Sequence, residues 1–161
     1  MFRVDRVVEL DAPADVCFEY VADFDNWSQF MFGVKSLHPV GTLEQSSGTR
    51  LEAKVQLGPV GFKSGGYISD YEAPTFITVA LDRGPICGYA TWRFTPTGPR
   101  SARCAVGIEY ELSNGLTGRA LAKVINSILD PALRYTEGKL REQVLERYEA
   151  RADLKDDAPS S

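Results

Sequence analysis

The chain is organised as a series of short strand patterns followed by one long amphipathic segment. After a first strand and two short helices, residues 34–112 contain only strand patterns separated by Gly and Pro turns. Residues 116 to about 150 then carry apolar side chains at helical spacing. An antiparallel sheet must bury its apolar face, and this helix is the large apolar partner available to it. The sequence therefore predicts an α+β fold in which a curved antiparallel sheet surrounds a long C-terminal helix and encloses a cavity.

The first third of the chain contains one strand and two short helices. Residues 2–10 alternate, and Arg6 falls in the apolar row of that strand. Because an unpaired buried cation is costly, we expect Arg6 to form a salt bridge. A first helix is predicted to begin at Pro13, and a second covers residues 24–31 and ends at Gly33.

Six further strands are predicted in hairpin order, which gives seven in all. They cover residues 34–40, 51–57, 60–71, 76–83, 86–95 and 102–112. The turn Ser46-Ser47-Gly48 separates the first two of these six. Within residues 60–71, Gly65 and Gly66 permit a bulge or a sharp bend, so we expect the sheet to curl there.

One face of the last helix is apolar over about 30 residues. Its apolar positions are Leu121, Val124, Ile125, Ile128, Ala132, Tyr135, Leu140, Val144 and Tyr148. Asp130-Pro131 interrupts this pattern and predicts a kink rather than two helices. We assign residues 1–150 to a single domain and expect the polar residues 151–161 to be a disordered tail.

Charge and hydropathy exclude several classes of partner. The net charge is −4 and Lys and Arg occur singly, so the chain lacks the basic patch that nucleic-acid binding requires. No apolar run approaches the roughly 20 residues of a membrane span, and residues 1–5 do not resemble a signal peptide. We expect a cytoplasmic protein with no nucleic-acid partner. Nothing in the sequence specifies an oligomeric state.

The cysteines and the single histidine do not suggest a metal site. Cys17, Cys87 and Cys104 are odd in number and widely spaced, which favours buried free thiols over a disulfide framework. His38 precedes a proline near a strand end, where a structural role is favoured over catalysis. We therefore expect neither a metal nor a cofactor.

Several segments together resemble a known family. They are Leu10-Asp11-Ala12-Pro13-Ala14-Asp15-Val16, Ala22-Asp23-Phe24-Asp25-Asn26-Trp27, Thr91-Trp92-Arg93-Phe94-Thr95-Pro96 and Ile108-Glu109-Tyr110-Glu111-Leu112. In this order of elements, the chain resembles the polyketide cyclase/dehydrase and START-like superfamily, which has the helix-grip fold of the birch-pollen-allergen type. The resemblance implies a mostly apolar cavity between sheet and helix, which would hold a small hydrophobic molecule such as a lipid, a quinone or a polyketide.

The same resemblance suggests residues for catalysis. The aromatase/cyclase members place an aromatic residue, a serine and an arginine at alternate positions of the fourth strand, and a second arginine at the end of the fifth. Tyr67 and Ser69 resemble the first two, Tyr71 stands at the arginine position, and Arg83 resembles the second arginine. In this interpretation Arg83 polarises a carbonyl while Tyr67 or Tyr71 relays a proton, as aldol cyclisation and dehydration require.

Other residues are expected to line the cavity without reacting. Trp27 is similar in position to a tryptophan at the mouth of these cavities, whereas Val34 replaces a tyrosine that some members use. Further expected wall residues are Trp92, Phe94 and Tyr110, with Asn126 and Tyr135 as hydrogen-bond partners for a ligand on the long helix.

The sequence leaves more than one function open. The first hypothesis is a binding protein for a small hydrophobic or polyketide-like molecule, and the rival is a polyketide cyclase/dehydratase. A third is a protein-interaction member of the superfamily whose cavity has collapsed. For Arg83 the alternative is a strand-end arginine that reaches solvent, and for Tyr67, Ser69 and Tyr71 it is a cavity wall without catalysis.

Overall fold

A computed structural model of the protein describes residues 2–40 and 48–157, with side chains to residue 154. The helical elements are α1 (Ala14–Ala22), a 3₁₀ turn (Phe24–Asn26), α2 (Trp27–Phe30) and α3 (Leu116–Asp157). The strands are β1 (Phe2–Leu10), β2 (Val34–Val40), β3 (Arg50–Leu57), β4 (Val60–Glu72), β5 (Phe76–Arg83), β6 (Ile86–Gly98) and β7 (Ser101–Leu112). The predicted order of elements is confirmed, while Ser46 and Ser47 of the predicted turn lie outside the described residues.

In the described part of the chain, the seven strands form one antiparallel sheet. Their order is β1-β7-β6-β5-β4-β3-β2, so β2 to β7 follow one another as hairpins. β1 pairs with β7 from Phe2 opposite Tyr110 to Leu10 opposite Ala102. The pairing of β4 with β5 shifts register between Gly65 and Gly66, where an irregularity is predicted, and the extra residue is Asp82 of β5.

The two short helices cover one end of the sheet with aromatic side chains. The ring of Trp92 on β6 lies 5.5 Å from that of Trp27 and 5.8 Å from that of Phe30. Phe18 on α1 meets Phe94 on β6 at 6.0 Å between ring centroids. Because these rings fill the space between helices and sheet, this end of the fold is solid core.

An ion pair ties the long helix to the edge strand. The Nε of Arg6 donates to Oε1 of Glu137 at 2.6 Å, and the Glu137 side chain is only 15% exposed. This hydrogen bond holds the pKa of Arg6 above its ordinary value. The salt bridge expected for Arg6 is confirmed.

The C-terminal helix is a single element that passes through Pro131, so the expectation of one helix rather than two is met. It continues past Ala150 to Asp157, and Arg151 forms an ion pair with Glu19 on α1. The boundary expected at residue 150 is therefore not an end of secondary structure. Residues 158–161 lie outside the described part.

The cysteines are free, and two of the three are buried. Burial raises the pKa of Cys17 to about 12 and raises the pKa of Cys104 as well, so both remain neutral thiols. The expectation of burial is wrong for Cys87, which lies opposite Glu111 on the outer face of the sheet and is exposed. His38 is also exposed, and lies opposite Glu52.

Candidate ligand cavity

A cavity of about 280 Å³ lies between the sheet and the middle of α3. The helix contributes Ile125, Ile128, Leu129, Ala132, Leu133 and Thr136. The segment from α2 to β2 contributes Trp27, Met31, Phe32, Val34 and Leu37. The remainder of the wall comes from inward-facing residues of the sheet, so the cavity occupies the position that the fold predicts.

The cavity exists because small residues occupy inward positions of the central strands. Ala53 on β3, Ser64 and Gly66 on β4 and Ala90 on β6 all line it, opposite Ala132 of the helix. Side chains this short leave the space between sheet and helix unfilled, whereas the aromatic rings at the other end fill it.

Glycine is required at one of these positions. A Cβ at Gly66 would overlap the carbonyl oxygen of Ala80 on the neighbouring strand. β4 and β5 therefore approach each other this closely only because residue 66 has no side chain.

The predicted facing of β4 is wrong for Tyr67 and Ser69. Gly66 pairs with Leu51 and Leu81, so the even-numbered residues face the cavity and Tyr67 faces outward. The ring of Tyr67 lies 5.7 Å below the guanidinium of Arg50. The hydroxyl of Ser69 lies 3.4 Å from the Thr78 carbonyl oxygen.

A second irregularity returns the end of β4 to the inner face. Pairing with β5 shifts again between Ile68 and Asp70, so Tyr71 faces inward although it shares its parity with Tyr67. Its ring packs against Phe18 at 5.5 Å, beside Arg147 in a separate surface depression. The predicted stripe of Tyr67, Ser69 and Tyr71 on one face is therefore not formed.

Arg83 also lies outside the cavity. Its side chain is 48% exposed, with nitrogens 3.8 Å from Asp82 and 3.9 Å from Glu52. The guanidinium lies over Gly65, where an added Cβ would meet it at 2.7 Å. Asp82 is an extra residue of β5 opposite the step from Gly65 to Gly66, so the alternation of β5 reverses there and Arg83 reaches solvent. The predicted inward orientation is wrong.

The remaining expected wall residues divide into core and surface. Trp92 and Phe94 face inward but belong to the aromatic core under α1 and α2. On α3, Asn126 is exposed, since it lies beside the face that carries Ile125 and Leu129. Tyr135 is also exposed, and it packs on the outside of Phe32 at 5.7 Å between ring centroids. None of these four lines the cavity.

Trp27 and Tyr110 are the predicted residues that do line the cavity. The indole nitrogen of Trp27 already donates to the Val21 carbonyl at 2.8 Å. Thr136 accepts a hydrogen bond from the Phe32 backbone at 3.1 Å, and Ser64 donates to the Arg83 carbonyl at 3.5 Å. The hydroxyl of Tyr110, in contrast, makes no hydrogen bond within the described ranges, and burial raises the pKa of Tyr110.

No Asp, Glu, Lys, Arg, His or Cys is among the described residues that line this cavity. Nor does any group of three or more His, Cys, Asp or Glu side chains in residues 2–40 and 48–157 form a candidate metal site. The cavity thus offers apolar contact and a few hydrogen-bonding groups, without a fixed charge.

Sequence reasoning missed the small residues and the helix positions Leu129 and Leu133. A signal was present, because Ala53, Ser64 and Gly66 alternate with polar or outward residues in strands that otherwise carry Val, Leu and Phe. Small inward residues on adjacent strands indicate unfilled space opposite them.

A family model described as "Polyketide cyclase / dehydrase and lipid transport" matches residues 1–146. The chain belongs to this family. The family name covers both enzymes and lipid-transport proteins, so membership alone does not separate catalysis from binding. No curated protein matches this member of the family.

Solved structures with the same fold include three that cover about nine-tenths of the chain. An aromatase/cyclase from a Streptomyces species has a TM-score of 0.76 at 11% identity and covers 91% of this chain and 94% of its own. A Thermus thermophilus protein has a TM-score of 0.73 at 18% identity, and the match covers 90% of this chain and 98% of that protein. A START superfamily protein from Mycobacterium smegmatis has a TM-score of 0.68 at 19% identity, and the match covers 88% of this chain and 98% of that protein. These structural similarities establish the helix-grip fold of this family member.

None of the helices in the described ranges combines the length and the apolar character that a membrane crossing needs.

Proposed function

We propose that the protein binds a compact, mostly apolar molecule in the cavity between the sheet and α3. The observation that carries this proposal is a cavity of about 280 Å³ whose described wall contains no charged side chain. Small-molecule sites usually measure about 300–1,000 Å³ and are lined by apolar groups with a few polar ones. This cavity lies just below the lower limit of that range, which favours a short lipid, a quinone or a small cyclic polyketide over a long acyl chain.

The rival hypothesis, a polyketide cyclase/dehydratase, needs a group that polarises a carbonyl and a group that moves a proton. Arg83 was the candidate for the first role, and its guanidinium lies at the surface between Asp82 and Glu52. Tyr67 faces outward and Tyr71 packs against Phe18, so neither lies beside the cavity. The arrangement therefore favours binding over cyclisation. The third hypothesis, a collapsed cavity with a protein-binding surface, is disfavoured by the open cavity itself.

Binding is tested by filling the cavity with a longer side chain. Ala90 lines the cavity from β6, whereas Ala105 is exposed on the outer face of β7. Ala90→Leu and Ala105→Leu therefore add the same three carbons inside and outside the cavity. The measurement is a fluorescence titration of each variant with the neutral fluorophore N-phenyl-naphthylamine, with thermal unfolding as the check on folding.

We expect wild type and Ala105→Leu to bind the fluorophore with equal affinity, and Ala90→Leu to bind it at least tenfold more weakly while remaining folded. Equal binding by all three proteins would place the fluorophore outside the cavity and contradict the proposal. The absence of binding by wild type would contradict it as well.

A further inference from the structure

One polar group of the cavity has no partner within the described part of the chain. Tyr110 is 9% exposed, and its hydroxyl makes no hydrogen bond to any described residue. The other polar side chains of the wall differ in this respect, since Trp27, Thr136 and Ser64 each bond to a backbone group. A water-sized molecule still reaches the Tyr110 hydroxyl, unlike the fully buried hydroxyl of Tyr20, so the Tyr110 hydroxyl is available to bond with a ligand atom in the cavity.

The ring of Tyr110 is held in position before any ligand arrives. It stacks on Phe2 of the edge strand with 5.3 Å between centroids and 26° between planes. Its other neighbour in the sheet is Gly88, which has no side chain to pack against the ring. A donor fixed in this way loses little conformational entropy when a ligand binds.

We propose that the hydroxyl of Tyr110 donates a hydrogen bond to the carbonyl oxygen of a neutral ligand, and that the cavity discriminates against ionised carboxylates. This inference rests on the proposed function, since it names the chemical class of the ligand that the same cavity binds.

Two features support a neutral carbonyl compound over a free acid. An ionised carboxylate needs a cation or several donors when it leaves water, and the described wall provides neither. A ketone or a quinone needs only one donor for its oxygen, which Tyr110 supplies. Because burial raises the pKa of Tyr110, the hydroxyl keeps its proton at neutral pH and stays a donor.

Three naphthalenes of nearly equal shape test the proposal. Acetylnaphthalene carries the carbonyl, isopropylnaphthalene replaces its oxygen with a methyl group, and naphthoate replaces the acetyl group with an ionised carboxylate. Their affinities are measured at neutral pH for wild type and Tyr110→Phe, by direct calorimetry. The phenylalanine variant retains the ring and its stacking on Phe2 and lacks only the hydroxyl. Thermal unfolding verifies that it is folded.

For wild type we expect acetylnaphthalene to bind at least tenfold more tightly than naphthoate. Tyr110→Phe should weaken acetylnaphthalene about three- to tenfold, which is the usual contribution of one hydrogen bond, and leave isopropylnaphthalene unchanged. Equal losses for the ketone and the hydrocarbon, or no loss for either, would overturn the role of Tyr110 while leaving the proposed function intact. Equal binding of naphthoate and the ketone would overturn the preference for neutral ligands. Failure of wild type to bind any of the three would overturn the proposed function together with this inference.

Discussion

A few buried polar side-chain atoms lack a hydrogen-bond partner among the described residues. Tyr20 on α1 is 3% exposed, and its hydroxyl has no hydrogen-bond partner in the described part of the chain. Burial raises the pKa of Tyr20 to about 12. A buried hydroxyl without a partner costs about 1–3 kcal/mol. Tyr20 therefore carries a penalty that phenylalanine would not.

We predict that Tyr20→Phe raises the free energy of unfolding at neutral pH by about 1 kcal/mol. The variant should also lose less stability in alkali. The pKa of Tyr20 is about 12 when folded and 10.0 as the free group, so the unfolded chain releases its proton first. The free energy of unfolding therefore does not depend on the ionisation of Tyr20 below pH 10.0, and it falls as the pH rises from 10.0 toward 12. Urea unfolding at neutral pH and in alkali measures both effects.

Tyr89→Phe is the matched control, because Tyr89 is exposed on the outer face of β6. It should leave the free energy of unfolding at neutral pH unchanged. If Tyr20→Phe proved destabilising at neutral pH, the hydroxyl of Tyr20 would have a hydrogen-bonding partner, and its burial would carry no penalty.

Among the elements, β4 decides the shape of the cavity. Its two consecutive glycines, Gly65 and Gly66, differ in how well they would tolerate a side chain. A Cβ at Gly66 would overlap the backbone carbonyl of Ala80, which cannot move without breaking the ladder between β4 and β5. A Cβ at Gly65 would meet only the guanidinium end of Arg83, at 2.7–2.9 Å, and that flexible side chain can move away.

We therefore predict that Gly66→Ala lowers the free energy of unfolding by about 2–3 kcal/mol, as overpacking of a core does. Gly65→Ala should lower it by less than about 1 kcal/mol, since an exposed arginine can change rotamer at small cost. Chemical denaturation of both variants under the same conditions provides the comparison. Equal effects would show that the backbones of β4 and β5 are farther apart at Gly66 than this contact requires.

At the scale of the whole molecule, the cavity couples ligand binding to stability. Empty space between sheet and helix lacks the packing that the aromatic end possesses, so the fold is less stable than a filled core would be. A ligand that binds only the folded state adds about 2.7 kcal/mol at a concentration of one hundred times its Kd.

The expected result is a rise in Tm of about 5–11 °C when acetylnaphthalene is present at one hundred times its Kd for wild type. Ala90→Leu should show no rise, and its own Tm should equal or exceed that of the empty wild type because leucine fills part of the space. Differential scanning calorimetry with and without ligand measures these shifts. A similar ligand-induced rise in Ala90→Leu would count against the cavity as the binding site.

The natural ligand can be identified directly from the intact protein. Native mass spectrometry of protein purified from its own host, followed by organic extraction, reports what the cavity holds. A neutral carbonyl compound at stoichiometric amounts would agree with both proposals, whereas a bound fatty acid would contradict the preference for neutral ligands.

The sequence by itself determined the order of elements, the α+β class and the apolar face of the long helix. These depend on local spacing, since a period of two or 3.6 residues is present in the chain before it folds. The salt bridge of Arg6 was predictable for a related reason, because a cation in an apolar row needs a partner wherever the strand lies.

Only the tertiary structure decided which residues line the cavity. In the pairing of β4 with β5, Ser69 is an extra residue on β4, after which Tyr71 faces the core, and Asp82 is an extra residue on β5, beside which Arg83 faces solvent. A shift of one residue reverses the facing of every side chain that follows, and alternation alone does not reveal where the shift occurs. The cavity itself is the space that Ala53, Gly66 and Ala90 leave unfilled. These residues are far apart in the chain and become neighbours only when the strands pair and α3 packs across them.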